Sequence, residues 1–414
     1  MRGLDDLEIS PETFAQRQAW ARRHGRWLWL WPDIAPADWR HALDALEVAI
    51  GQVLAGRTAR LGGPRNLAAL SLACYTSGTG PLIGHWVERG IVDADPEAAA
   101  LVALHLHHNR RRMAAMKLRA CEAVATLASQ RVYPTVLKGM HLACSYYPEP
   151  GTRPVSDLDL LVCAPEAQAR AKEALALAGF ELISANYKET TWAPGGVSRV
   201  VRSLLLVHAD DPWTIDLHHS IDQKPASGVR ATSLDRRVAS FFEHAWPPGA
   251  SATTLAQPAL LLHLASHAGS AIRVNLSLVR VVDLVLVIRA DTQSGKLDWR
   301  AFLDLGAESG SLGLAYATLA LSEKLVPGTV PSTVLRACET AAPPRLRRLV
   351  DALTPAGAQR LDRASFAEHF LWARGPIGFV RQIGADFVPD MPWREMPGRY
   401  GALARRMLLG GFSR

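Results

Sequence analysis

The sequence predicts an α+β protein. A small mixed-sheet α/β core at residues 130–222 is flanked by a helical N-terminal region, 1–129, and a helical C-terminal region, 223–414. Three observations carry this expectation. Apolar residues recur at helical spacing in both flanks. Between the flanks the pattern changes to short apolar runs punctuated by Pro and Gly, the mark of strands and turns. At 414 residues the chain is too long for one ordinary core, so two or three domains are expected.

In the first flank the helical pattern is clearest at 39–54 and 98–128, with breaks at Pro64, Gly78-Thr79-Gly80-Pro81 and Pro96. Asp95 is placed to cap the helix that Pro96 opens. In the core, 132–137 reads as a strand and 140–147 as a short helix stopped by Pro148 and Pro150. A strand at 157–162 follows, then a helix at 165–178 with Pro165 in its first turn and Gly179 past its end. Strands are expected at 180–192 and 199–208 around the turn Pro194-Gly195-Gly196, and at 213–219 after Asp210-Asp211-Pro212. Helices return at 258–269 and 276–290, with later breaks at Pro327, Pro331, Pro343-Pro344 and Pro355.

Composition narrows the function. Apolar residues are 49% and charged residues 21%, which excludes general disorder. The net charge of +7 suits an anionic substrate but is too modest for a dedicated nucleic-acid binder, so nucleic acid is not an expected partner. The runs Arg110-Arg111-Arg112 and Arg405-Arg406 read as solvated faces. The tail beyond Trp372 mixes seven Arg and three acidic residues with Phe, Trp and Met, too weak a basic excess to assign it an anionic partner or a membrane surface. The five cysteines are scattered and odd in number, which points to reduced thiols rather than a disulfide framework. The N-terminal MRGLDDLEIS has acidic residues where a signal peptide needs an apolar core, and no uninterrupted apolar run reaches ~18 residues. A cytoplasmic protein with no transmembrane segment is expected.

The chemistry concentrates in 135–162. Asp157 and Asp159 are two apart at the start of a strand, so they project from one face while Leu158 and Leu160 pack behind. Adjacent carboxylates repel unless they share a cation, and hard oxygen ligands suit Mg²⁺ or Mn²⁺. Upstream, Lys138-Gly139 joins a strand to a helix, a seat for phosphate at a helix N-terminus with a lysine charge beside it. Taken alone, the Lys-Gly pair is an ordinary turn and Asp-x-Asp a solvated strand edge; their proximity is what gives them meaning. Asp216 lies mid-strand, where an unpaired carboxylate is disfavoured, and a third acid is explained by metal ions shared with the first two. His218 shares its face by parity and reads as a supporting group, a substrate contact or a surface residue. His263 and His267, four apart on a helix, suit zinc by spacing, but Leu264 stands where a zinc protease carries its Glu, so core or supporting roles are preferred. Asp283 on the next helix is a candidate hydrogen-bond acceptor for one of them.

The order strand–Gly–helix–DxD strand–later strand Asp resembles the polymerase-β-like nucleotidyltransferase superfamily. More narrowly, Leu137-Lys138-Gly139, Arg153-x-x-Ser156-Asp157-Leu158-Asp159-Leu160-Leu161-Val162 and Ile215-Asp216-Leu217-His218 resemble a poorly characterised bacterial nucleotidyltransferase family within it. The likeness extends to Leu261-Leu262-His263-Leu264-x-x-His267 and Leu278-x-Arg280-x-x-Asp283, and covers roughly 130–290. It implies transfer of a nucleoside monophosphate from an NTP such as ATP to a hydroxyl or phosphate acceptor, with natural-product peptides, saccharides or small molecules as acceptor classes. Asp157, Asp159 and Asp216 would be catalytic and metal-binding, with Lys138, Gly139, Arg153 and Ser156 binding nucleotide. The helices bearing His263, His267 and Asp283 would pack beside the site. One departure stands out: Lys138-Gly139 replaces the usual Gly-Ser of the superfamily. Two other readings stay open, a nucleotide-sugar glycosyltransferase using the Asp-x-Asp, and a non-catalytic scaffold that binds nucleotide or peptide.

Overall fold

The computed structural model describes residues 7–387 apart from 25–26, 63–65, 187, 227–228, 230, 239–241, 244–250 and 363–366. Arg405-Arg406 and most of the Arg-aromatic tail therefore lie outside the described residues. In chain order the first part comprises α1 (Pro11–His24), α2 (Pro36–Leu54), β1 (Ala59–Arg60), α3 (Leu67–Ser77), α4 (Gly80–Glu88), β2 (Val92–Asp93) and α5 (Pro96–Ser129). The middle comprises β3 (Thr135–Val136), α6 (Lys138–Ser145), β4 (Asp157–Leu161), α7 (Pro165–Leu177), β5 (Phe180–Ala185), β6 (Glu189–Pro194) and β7 (Thr214–His218). Then follow α8 (Asp235–Val238), β8 (Phe242–Glu243), β9 (Thr253–Leu255), α9 (Ala259–Ser270), α10 (Leu278–Gln293), α11 (Trp299–Ser309), α12 (Leu312–Leu325), α13 (Ser332–Ala341), α14 (Pro344–Ala352) and α15 (Gly375–Phe387). The class is α+β. No described helix is long and apolar enough to cross a membrane.

Local signals act as the sequence suggests in several places. Asp95 caps α5, accepting a 2.9 Å hydrogen bond from the Ala98 amide ahead of Pro96 in the first turn. Pro165 opens α7, and Gly179 follows its end in the left-handed region. A seven-stranded mixed sheet has the order β5-β6-β7-β4-β3-β9-β8. The pairs β4–β7 and β3–β9 are parallel, and the others are antiparallel. The sheet thus runs beyond residue 222, because β9 pairs beside β3 from the far side of the loop.

Two strand expectations are corrected. The 180–192 stretch is a hairpin rather than one strand. Asn186 turns it: its side-chain oxygen accepts from the amides of Lys188 and Glu189 at 2.8 and 3.0 Å, an Asx-type turn. The 199–208 stretch makes only an isolated bridge, Ser203 with Glu8. Side chains take the amides a ladder would need: Asp211 accepts from Arg202 and His208, and Ser203 from Leu205 and Leu206.

The buried apolar residues form two clusters. One joins helices from both ends of the chain, including Leu43, Leu46, Ile83, Leu261, Leu284 and Leu319. The other packs the sheet against α5 and α7 and includes Met116, Val124, Leu158, Leu160, Ile215 and Leu217. Each such side chain contributes roughly 1.5–3 kcal/mol by leaving water. Strand parity then turns Asp157, Asp159, Asp216 and His218 to the opposite face. Arg112 steadies both strands from behind. Its side chain is 3% exposed as a residue, so it is no solvated face: it donates to the carbonyls of Val155 and, at 2.9 Å, Pro212, just before β4 and β7. Arg110 instead pairs with Glu88 and Glu149, and Arg111 is exposed.

Candidate active site

The site is built on the β4–β7 ladder. Asp159 faces Asp216 directly in register, and Leu161 faces His218. β3 ends beside them, where the Leu137 amide donates to the Asp159 carbonyl at 3.0 Å. Lys138 then opens α6, whose N-terminus no side chain caps. Its ammonium lies 2.9 Å from Asp159 Oδ1 and 3.5 Å from His267 Nε2. Burial works against the Lys138 charge, but Asp159 and Asp157 outweigh it and raise its pKa.

Asp159 is 1% exposed. Its Oδ1 also accepts from His218 Nε2 at 2.9 Å, while His218 Nδ1 lies 2.9 Å from Glu189 Oε2. Burial alone would raise the Asp159 pKa; Lys138 and His218 reverse that and hold it well below the usual carboxylate range. Burial would likewise discharge His218, yet its hydrogen bond to Asp159 and the Glu189 carboxylate 2.9 Å from its Nδ1, off-line for a hydrogen bond, push it up to about 9. The His218 ring beside it pulls Glu189 down to about 2. Asp157 has no such partner. The Asp159 charge, then burial, push it up to about 6, against the pull of Lys138 and a hydrogen bond from Ser156. Burial, more than any neighbour, also raises Asp216.

Two oxygens are left over. Asp159 Oδ2 and Asp216 Oδ1 are buried with no hydrogen-bond partner, an expensive arrangement that a bound ion or water would relieve. One ligand atom each from Asp159, Asp216 and His218 lie within 4.8 Å of one another. The carboxylates fit a hard divalent cation. His218 offers the third ligand atom of the group, and in the present arrangement its Nε2 orients the Asp159 carboxylate through their 2.9 Å hydrogen bond.

A cleft of about 210 Å³ opens in front of the acids, lined by Lys138, Gly139, Ser156, Asp157, Asp159 and, from the helical side, Leu264, His267, Ser277, Arg280 and Asp283. Small-molecule sites usually span about 300–1,000 Å³, so this cleft is smaller than a typical one. Residues 73–327 match the family model described as uncharacterised nucleotidyltransferase, well over half of the 414-residue chain. The chain belongs to that nucleotidyltransferase family. No curated protein and no solved structure matches it. The matched segment contains the acids, the cleft and both α9 and α10.

In this family member, Lys138, Gly139, Ser156, Asp157, Asp159, Asp216 and His218 come together as the sequence suggested. Arg153 lines the same cleft but is engaged. Its Nε and Nη2 each donate to Asp283 at 2.7 Å, and its Nη1 donates to the carbonyls of Gly139 and Pro154. Asp283 also accepts from Tyr147 at 2.7 Å. This corrects the expectation that Asp283 serves His263 or His267: arginine and tyrosine occupy its oxygens. The two histidines stack with ring centroids 5.8 Å apart. Burial and the nearby Lys138 keep both neutral, with His263 pushed down to about 3. Both His263 nitrogens are buried without a partner. Sequence reasoning missed Glu189, which becomes visible only once β6 pairs with β7 and sets it opposite His218. It also passed over Arg280, whose only sequence signal was its place in the Leu278-x-Arg280-x-x-Asp283 pattern.

Proposed function

We propose that the protein transfers a nucleoside monophosphate from an NTP to a hydroxyl or phosphate acceptor with Mg²⁺ or Mn²⁺ as cofactor. The observation that carries this reading is the pair of orphaned oxygens on Asp159 and Asp216, in register across β4 and β7, with Asp159 lining a cleft that also holds Lys138, Arg153 and Arg280. Asp157, Asp159 and Asp216 would hold the cation. When bound, a divalent ion neutralises polyphosphate charge and polarises the reacting phosphoryl group. Lys138 and the uncapped N-terminus of α6 bind phosphate oxygens. Asp216, its carboxyl pKa raised by burial, accepts the proton of an acceptor hydroxyl. The acceptor oxygen bonds to the α-phosphorus, the bond to the bridging oxygen breaks, and pyrophosphate leaves with the electron pair. A natural-product peptide, a saccharide or a small molecule is the proposed acceptor class, and the cytoplasm the proposed compartment.

Calorimetric binding of the four NTPs and UDP-glucose, with Mg²⁺, Mn²⁺ or EDTA, tests this on the parent protein and on Asp157→Ala/Asp159→Ala. Metal-dependent NTP binding that the double substitution abolishes supports nucleotidyl transfer. Binding of UDP-glucose in preference to NTP moves the assignment to glycosyl transfer. NTP or peptide binding without pyrophosphate release across an acceptor panel favours a non-catalytic scaffold, as the replacement of Gly-Ser by Lys138-Gly139 would suggest.

A further inference from the structure

Arg280 is a cation without a task in the contacts described so far. Lys138 reaches Asp159, and Arg153 is held by Asp283 and two carbonyls. The Arg280 guanidinium lines the same cleft, yet among the described residues it makes no hydrogen bond or ion pair. It is also in an unfavourable place. It sits in the first turn of α10, where the helix dipole is positive, and burial works against its charge. Ser277, the residue preceding α10, also lines the cleft, and its side chain does not cap the helix. Two uncapped helix N-termini, those of α6 and α10, therefore open on one cleft, with a lysine in one first turn and an arginine in the other. Asp157 and Asp159 occupy the sheet side; on the helical side the Arg280 guanidinium stands near Asp283, whose oxygens Arg153 and Tyr147 already take. A ligand matching both must present a cation-binding group and a run of negative charge beyond it, which is the form of a metal-bound polyphosphate.

The geometry points to Arg280, with Ser277 and the first turn of α10, as the group that binds the β- and γ-phosphates and stabilises the departing pyrophosphate. This assignment rests on the nucleotidyl-transfer reading above. As the bond between the α-phosphorus and the bridging oxygen breaks, its electron pair leaves with pyrophosphate. The guanidinium meets that growing charge with two parallel N–H donors. Lys138 serves the phosphate nearer the acids.

The test is calorimetric binding of ATP, AMP and inorganic pyrophosphate, each with Mg²⁺, to the parent, Arg280→Gln and Arg280→Lys. Mn²⁺ binding and thermal melting are measured on the same samples. The assignment expects Arg280→Gln to weaken ATP and pyrophosphate by about 10- to 100-fold, with AMP and Mn²⁺ affinity unchanged and Arg280→Lys in between. A merely structural role would lower AMP and ATP binding together, and that result overturns it. If the parent binds ATP in the metal-dependent manner and Arg280→Gln binds pyrophosphate as tightly, only the Arg280 assignment falls. If the parent binds neither ATP nor pyrophosphate, both readings fall together.

Discussion

Asp157→Asn should stabilise the metal-free protein while removing its ability to bind a cation. Asp157 is raised from an ordinary 3.8 to about 6, chiefly by the charge of Asp159. At ~1.4 kcal/mol per unit, ionising it in the folded chain costs roughly 3 kcal/mol, and solvent screening at the cleft mouth lowers this to about 2–3. Asparagine keeps the shape without the charge. Because the folded value is the raised one, the parent keeps this stability below about pH 4, where Asp157 is protonated in both the folded and unfolded chain. It loses it as pH rises through about 6. The stability gained by Asp157→Asn should therefore be near zero at about pH 4, grow between about pH 4 and 6, and level off above that. Urea denaturation of EDTA-treated protein across this range measures it directly. Adding Mn²⁺ at neutral pH should stabilise the parent and leave the variant unmoved. A variant less stable than the parent at neutral pH, or a difference that does not change with pH, would refute the assignment of Asp157 as the strained carboxylate.

His218→Gln should behave in the opposite sense. The raised His218 value stabilises the fold below about 6.5 and is lost as pH rises through about 9, so the parent should weaken across that window while the variant, about 2–3 kcal/mol less stable at pH 7, stays flat in denaturation curves. Asp283→Ala leaves Arg153 buried without its carboxylate and should cost about 3–5 kcal/mol in the same measurement. Gly269→Ala should destabilise by about 1–3 kcal/mol, since a Cβ there would overlap the Leu314 carbonyl oxygen of α12. Gly384→Ala, in an exposed stretch of α15 with open space around it, should be neutral or slightly stabilising, a calorimetric control for the Gly269 result.

The sequence made much of the site legible because its chemistry lies in short stretches. Parity alone puts Asp157 beside Asp159 and both opposite Leu158 and Leu160, and the ladder keeps that arrangement. A lysine at a strand-to-helix turn is likewise a local signal. Long-range partners were not legible. His218 meets Asp159 from 59 residues away, and Arg153 meets Asp283 from 130. Nothing in the local pattern of Asp283 distinguishes arginine and tyrosine from histidine as its donors. The fold shows the same division. Asp95-Pro96 announces a helix start by itself, whereas β9 is recognisable only through its neighbour β3. The 199–208 stretch has a strand's composition, but Asp211, beyond its end, takes the amides that would have joined a sheet.

The bidentate bond between Arg153 and Asp283 decides how the cleft can work. It fastens α10, on one wall, to the segment that leads into β4, on the other, and Tyr147 adds a second fastening at the same carboxylate. Behind the walls, α9 lies against α12 too closely for a side chain at Gly269. These contacts tie the two walls of the opening to each other. Opening it would require the two Arg153–Asp283 hydrogen bonds and the Tyr147–Asp283 hydrogen bond to break together. The ligand-bound backbone should then superimpose on the present one to within about 1 Å.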